Sequence, residues 1–194
     1  LGDADASARL TLGDLYAHRS GLPGHAGDKL EELGFDQRQV LERLRLLPLA
    51  PLRSRYAYTN FGMTAGALRV AGAAGSDWAT LCEQTLYAPL GMARTRSRHA
   101  DFARQDNRAS GHMRLDGAWR LAPPRNADAQ SPAGGASSSA ADMARWLALL
   151  LAQGRWQGRA LVDGAALAAA MSPQAPGGGY GYGFNTGRTE AGRR

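Results

Sequence analysis

Tyr58-Thr59-Asn60 is the triplet in this chain whose side chains could share a reaction. In an extended backbone, residues i and i+2 project to the same side, so a phenol and a carboxamide would face one cavity. A phenol is a poor base at its free pKa of ~10, but a nearby cation, usually a buried lysine, lowers that value. The carboxamide could orient such a lysine and also donate to a substrate carbonyl. Taken alone, Tyr-x-Asn has a second reading, a loop tyrosine followed by an asparagine that caps a helix.

Other chemistries find no support. The chain has no Gly-x-Ser-x-Gly elbow, no phosphate loop, no dinucleotide fingerprint and no His-Glu-x-x-His. His18, His25, His99 and His112 show no metal-ligand spacing, and each reads as a surface or turn residue. Cys82 is the only cysteine, which excludes an internal disulfide and a paired-cysteine zinc site. It sits on an apolar helix stripe and reads as a buried small hydrophobe. No metal or cofactor is expected.

The 194 residues suit one domain or one large piece of a larger one. At 44% hydrophobic and 21% charged, the composition is globular. No apolar run approaches the ~20 residues that a membrane span needs. The net charge of +6 raises a nucleic-acid reading. The positive charge is nearly all arginine, with Lys29 the only lysine, and Arg193-Arg194 is the longest unbroken pair. A nucleic-acid stripe would cluster these residues or interleave them with aromatics, so no such partner is expected.

The elements that must position the triplet follow from caps and periodicity. Thr11-Leu12-Gly13-Asp14 reads as a capping box opening a short helix through Leu15 to His18. Ser20-Gly21-Leu22-Pro23-Gly24 forces a turn, and residues 23–29 read as an exposed loop. Asp36 caps a second helix bearing Val40, Leu41, Leu44 and Leu47 on one face. Leu52 to Thr59 reads as irregular or extended. A Gly- and Ala-rich helix runs from Asn60 to about Ala73, where Gly62, Gly66 and Gly72 require tight packing against a neighbour as compensation. Ser76 or Asp77 starts another helix, which Pro89 stops. Asp116-Gly117 suits a type I′ turn between Met113-Arg114-Leu115 and Ala118-Trp119-Arg120. Ser139-Ala140-Ala141-Asp142 reads as a second capping box, with Met143, Trp146, Leu147, Leu150 and Leu151 as the buried face. A short helix lies near 163–171, and Tyr180-Gly181-Tyr182-Gly183-Phe184 reads as the first residues of a strand. The helices have apolar faces to bury, yet the chain offers almost no sheet of its own, which fits a helical region built onto a sheet supplied elsewhere.

Five segments together resemble a known family. Leu12-Gly13-Asp14-Leu15 with His18-Arg19-Ser20-Gly21-Leu22-Pro23 resembles the "LTLRDLLTHTSGLP" segment of serine β-lactamase-like and penicillin-binding proteins. Tyr56-Ala57-Tyr58-Thr59-Asn60-Phe61-Gly62 resembles their "F-x-Y-S-N-x-G". Pro89-Leu90-Gly91-Met92-Ala93-Arg94-Thr95 resembles "PLGMxxT", and Pro132-Ala133-Gly134-Gly135 through Trp146 resembles "PAGGLxSTAxDMARF". Tyr180-Gly181-Tyr182-Gly183-Phe184 resembles "YGLGW". The segments stand in the family's order and span nearly the whole chain.

The resemblance implies an α+β, β-lactamase/transpeptidase-like fold. Here it would be mainly the helical region, with one hairpin, an incipient strand and most of the sheet missing. It makes Tyr58 the activating phenol or phenolate, and Asn60 the amide that contacts substrate and a catalytic lysine. In the family the nucleophile is a serine on Ser-x-x-Lys, upstream of the tyrosine, and a Lys-Thr-Gly or His-x-Gly element follows "YGLGW". No Ser-x-x-Lys occurs in these residues. His25-Ala26-Gly27 imitates the later element in the wrong order. Asn185-Thr186-Gly187 lacks its cation and lies too close to Tyr182. Residues 1–194 are therefore expected to be an internal portion of a single domain, truncated at both ends and inert alone. The intact protein would act through an acyl-enzyme on β-lactams, D-Ala peptides or esters. The alternative is a non-catalytic binding or sensor module of the same fold. The expected partner is a small-molecule or peptide substrate, in the periplasm or cell envelope.

Overall fold

Helix starts set the framework, because each exposes amides that a side chain must satisfy. In the structure, a computed structural model, residues 1–187 are described. Helix α1 spans Ala4–Arg9 and α2 spans Leu12–Tyr16, the latter opened by the reciprocal Thr11–Asp14 capping box. Helix α3, Asp28–Glu32, starts at Gly27. Helix α4, Gln37–Arg43, carries a second reciprocal box between Asp36 and Gln39 and runs into a 3-10 turn at Leu44–Leu46. The stretch from Leu52 to Thr59 has no regular structure, as its composition suggests.

Helix α5, Asn60–Ala73, is the long element around which this half packs. Its Phe61 is fully buried with Leu22, Ala26, Val40 and Leu44 in the first core. Residues 23–29 are thus not simply an exposed loop. Ala26 is buried, because Gly27 at φ +95 turns the chain inward onto Phe61. The three glycines of α5 differ in kind. A Cβ on Gly62 would fall 2.2 Å from Thr59 Oγ1, one on Gly66 would touch Tyr16 and Leu15, and one on Gly72 would meet nothing.

Asp77 caps α6, Trp78–Cys82, and Cys82 is buried. Pro89 does not stop this helix. A wide turn over Glu83–Tyr87, where Ala88 N–H reaches back to the Glu83 carbonyl, carries the chain into α7, Ala88–Leu90. Pro89 sits in the first turn of α7, where its missing N–H costs nothing. Gly91 at φ 68 ends the run. Helix α8 spans His99–Ala103. Strands β1, His112–Leu115, and β2, Ala118–Leu121, pair antiparallel with Leu115 opposite Ala118. Asp116 and Gly117 both have positive φ, at 50° and 79°, as a type I′ turn demands.

Helix α9 spans Ser131–Gly134 and α10 spans Ala140–Leu151. The Ser139 hydroxyl caps Asp142 N–H, but the box is only half formed. The buried Asp142 carboxylate instead accepts from Arg94 N–H, the Thr95 hydroxyl and Arg145. Leu149 is the fully buried residue, packed with Cys82, Tyr87, Leu90 and Met92 in the second core. Of the expected buried face, Trp146 and Leu150 are partly buried, and Trp146 packs against that core. Met143, Leu147 and Leu151 form an exposed apolar stripe, with Leu151 86% exposed. A small ladder of β3, Arg155–Trp156, and β4, Arg159–Ala160, follows, then α11, Gly164–Ala170, capped by Asp163. Residues Tyr180 to Phe184 form no strand. They make a tight loop closed by a Tyr180–Asn185 bridge, with Gly183 at φ 85, since no neighbouring strand offers a ladder among the described residues. The fold is α+β, mostly helical with two small ladders. Arg193-Arg194 lies outside the described residues.

The α5 glycines generate a paired prediction. Gly62→Ala should destabilise the chain by about 1–3 kcal/mol through overpacking. Gly72→Ala, with open space at the position, should stabilise by up to ~1 kcal/mol. Urea unfolding of the two variants against the parent measures both.

Candidate functional site

Tyr58-Thr59-Asn60 forms the entry to α5, held in place from both sides by its backbone. Thr59 is extended, at φ -139 and ψ 116, and its side chain is fully buried. Ala57 N–H donates to the His18 carbonyl at 2.8 Å, and the Tyr58 carbonyl accepts from His25 N–H at 2.7 Å. Between these, Thr59 N–H donates to His18 Nδ1 at 3.2 Å.

His18 lies in the turn after α2, as expected, but it is 1% exposed and not at the surface. An amide N–H is only a donor, so His18 Nδ1 must be unprotonated, and the ring proton lies on Nε2. Nε2 then donates to the Tyr180 hydroxyl, 3.1 Å away. Burial lowers the His18 pKa from 6.5 to about 4, so the ring is neutral, as this arrangement requires. Its φ of 54 lies in the left-handed region, which histidine and asparagine tolerate better than most residues. The signal available in the sequence was position: His18 directly precedes the Arg19-Ser20-Gly21 turn.

An aromatic cluster surrounds this imidazole. The Tyr58 ring lies 4.5 Å from it, Tyr180 4.9 Å and Tyr56 5.6 Å, the last edge-on. Burial, followed by the neighbouring Tyr56 and Tyr58, pushes the Tyr180 pKa up to about 12, so its hydroxyl stays protonated. Tyr56 and Tyr180 also wall a cleft of about 410 Å³ with Arg19, Arg55 and Asn185. That size is within the range of small-ligand sites.

Asn60 is half-buried and donates through Nδ2 to both carboxylate oxygens of Asp28, at 3.1 and 3.3 Å. Asp28 also pairs with His25 Nδ1 at 3.0 Å, and the His25 ring lies 5.7 Å from Tyr58. Tyr58 and Asn60 therefore both border the His25–Asp28 pair, with Thr59 turned inward between them. Lys29 is exposed on α3 and makes no bond to Tyr58 among the described residues. His25-Ala26-Gly27 lies beside the triplet through His25 alone, and Asn185-Thr186-Gly187 lies near Tyr180.

A second anchor holds the approach to the triplet. Asp14 is buried and receives Arg53 at both oxygens, at 2.7 and 2.8 Å. Burial alone would raise its pKa, but Arg53 and the Thr11 hydroxyl and amide outweigh this and bring it to about 2. Arg53 N–H in turn donates to the Arg19 carbonyl. The α2 cap, the turn after His18 and the segment leading to Tyr58 are thereby one unit. No group of three metal-ligating side chains occurs among the described residues, and no described helix is long and apolar enough to cross a membrane.

The Beta-lactamase family model matches residues 2–193. Unguisins hydrolase ungD of Aspergillus violaceofuscus is 29% identical over 161 residues, covering 78% of this chain and 28% of that protein. The chain thus spans under a third of the length of the curated relatives it matches. An octameric penicillin-binding protein homologue from Pyrococcus abyssi superposes with a TM-score of 0.74 at 20% identity, over 90% of this chain and 42% of the other. A D-stereospecific amidohydrolase from Streptomyces sp. gives 0.75 at 19% identity, over 95% and 58%. At such identities the two structures share the fold.

The buried imidazole sets a pH dependence. Its folded pKa lies below its unfolded value, so the unfolded chain binds the extra proton between them. Stability is then lost as pH falls from about 6.5 to about 4, by roughly 3 kcal/mol. Asp14 acts in a separate window, from about 3.8 down to about 2. His18→Asn keeps an acceptor for Thr59 N–H and tolerates the positive φ, but it does not titrate. Urea unfolding from pH 7 to 4.5 should show a steep decline for the parent and a flatter one for His18→Asn.

Proposed function

The chain belongs to the β-lactamase family, and on that premise we propose that it is part of a serine hydrolase working through an acyl-enzyme. The reading is carried by one observation: the backbone between Tyr58 and Asn60 is pinned on a buried neutral imidazole while both side chains border the same polar pair. Tyr58 is the proton acceptor for the nucleophile, and Asn60 the amide that contacts substrate. A phenol serves that role only when pre-oriented, since acid–base efficiency depends on reach as much as on pKa. The His18 tether supplies such orientation without adding a charge to the cluster.

The nucleophile is a serine outside these residues, because Ser-x-x-Lys does not occur in them. In this reading, the exposed stripe of Met143, Leu147 and Leu151 packs against a sheet also outside them. Residues 1–194 form an internal portion of one domain. The curated relatives are named as hydrolases of unguisins, and the solved ones include amidohydrolases. The bond cleaved is an amide, ester or lactam, with acylation of the serine followed by hydrolysis.

Nitrocefin and p-nitrophenyl acetate assays test this directly. The 194-residue chain should show no turnover. The intact gene product should carry Ser-x-x-Lys upstream and turn over at least one substrate, with kcat/KM falling by roughly 10²–10⁴ in Tyr58→Phe. An intact gene without that motif supports a non-catalytic sensor. Turnover by the chain alone, abolished in Tyr58→Phe, would overturn the assignment of the nucleophile elsewhere.

A further inference from the structure

Arg94, Arg96 and Arg108 line one cleft of about 790 Å³, beside the segment that follows α7 and the start of α10. It shares no lining residue with the cleft walled by Tyr56 and Tyr180. Thr95 and Ser97 are 2% and 5% exposed, so the alternation of extended chain turns Arg94 and Arg96 outward on a common side. Their backbone is fixed as well. Arg94 N–H donates to the buried Asp142 carboxylate at 2.7 Å. Arg96 exchanges both of its backbone hydrogen bonds with Ser137, at 2.9 and 2.8 Å. Arg108 comes from the stretch after α8, and its guanidinium donates to the Ala103 and Gln105 carbonyls. Phe102 of α8 adds an apolar wall.

None of these three arginines pairs with a carboxylate among the described residues, whereas Arg98, the next outward residue, is matched by Asp77. Asp106 is the one acid on the cleft wall among the described residues, which leaves a surplus of two positive charges. Like charges held on a fixed frame repel one another, and an entering anion relieves that cost. A carboxylate would neutralise half of the surplus. A phosphomonoester carries close to two negative charges at neutral pH and presents three oxygens to planar guanidinium forks. The volume falls within the range of small-ligand sites, so an organic body has room beside Phe102. We propose that this cleft binds a phosphomonoester on a small organic body, held by Arg94, Arg96 and Arg108, at a site separate from the Tyr58 triplet. Two sources carry that chemistry: a soluble phosphate ester and the headgroup of phosphatidic acid.

The test is binding by the intact gene product. It is titrated calorimetrically with glycerol 3-phosphate and with acetate. In a second arm it is sedimented with vesicles of phosphatidic acid or of phosphatidylglycerol, whose phosphodiester carries a single charge. Saturable binding of the phosphomonoester is expected in at least one arm, about tenfold tighter than acetate or phosphatidylglycerol in that arm. The arm that responds identifies the source. Arg94→Ala and Arg96→Ala should each weaken binding by about tenfold, and Arg96→Lys should recover part of the loss. Arg69→Ala removes an equal charge from the exposed side of α5 and should leave binding unchanged. Urea midpoints matching the parent show that these variants fold. No response in either arm, no preference for the phosphomonoester, or an equal loss in Arg69→Ala overturns the proposal.

Discussion

The fold around the site depends on a single buried, uncharged imidazole. His18 accepts from Thr59 N–H on one nitrogen and donates to Tyr180 on the other. Residues 18, 59 and 180 are far apart in sequence, and each comes from a different stretch of irregular chain. Irregular backbone cannot satisfy its own amides, so something must substitute for the ladder that a helix or strand would provide. A neutral imidazole does this with one acceptor and one donor in a rigid plane. A charged ring would have two donors, and Thr59 N–H would be left facing a proton.

The remaining anchors repeat this economy with different chemistry. Asp14 completes a helix cap and receives a guanidinium from the segment before Tyr58. Asp142 gives up the return half of its own capping box to hold the Gly91-to-Thr95 segment. Asp142 thereby joins two stretches that resemble separate family motifs, and Asp14 ties one such stretch to the segment that leads into another. The motifs look independent in the sequence. In space they are coupled by the two aspartates and the histidine, and α5 packs through Phe61 into the core beneath them.

The parts legible in the sequence are those whose cause is local. Caps at Thr11, Asp36, Asp77 and Ser139 and the Asp116-Gly117 turn all arise from interactions within a few residues. Tyr58 and Asn60 stand out in the sequence only through the family-like segments around them, since the triplet alone also reads as a loop tyrosine before a helix cap. The failures share a longer range. The buried face of α10 is only partly legible because its apolar residues surround most of the cylinder: Trp146 and Leu150 turn partly inward, but so does the polar Asp142, whose partners lie nearly fifty positions away. The burial of His18 in its turn is not legible because its two partners lie at positions 59 and 180. Pro89 passed for a stop because a wide helical turn leaves no trace in residue type. The β3–β4 ladder went unread, although Gln157-Gly158 was a short turn signal of the same kind as Asp116-Gly117.

The first hairpin is built on a different plan from everything else. All eight residues of β1 and β2 are exposed, and their register is set by their own turn and their own pairing. Nothing in either core depends on their identity. A segment of that kind behaves as a cassette. Its tip can be lengthened, its strands rewritten or a foreign loop spliced in at Asp116-Gly117 without disturbing the histidine tether. Variation between relatives, and attempts to attach a label or a new binding loop, have a natural address there.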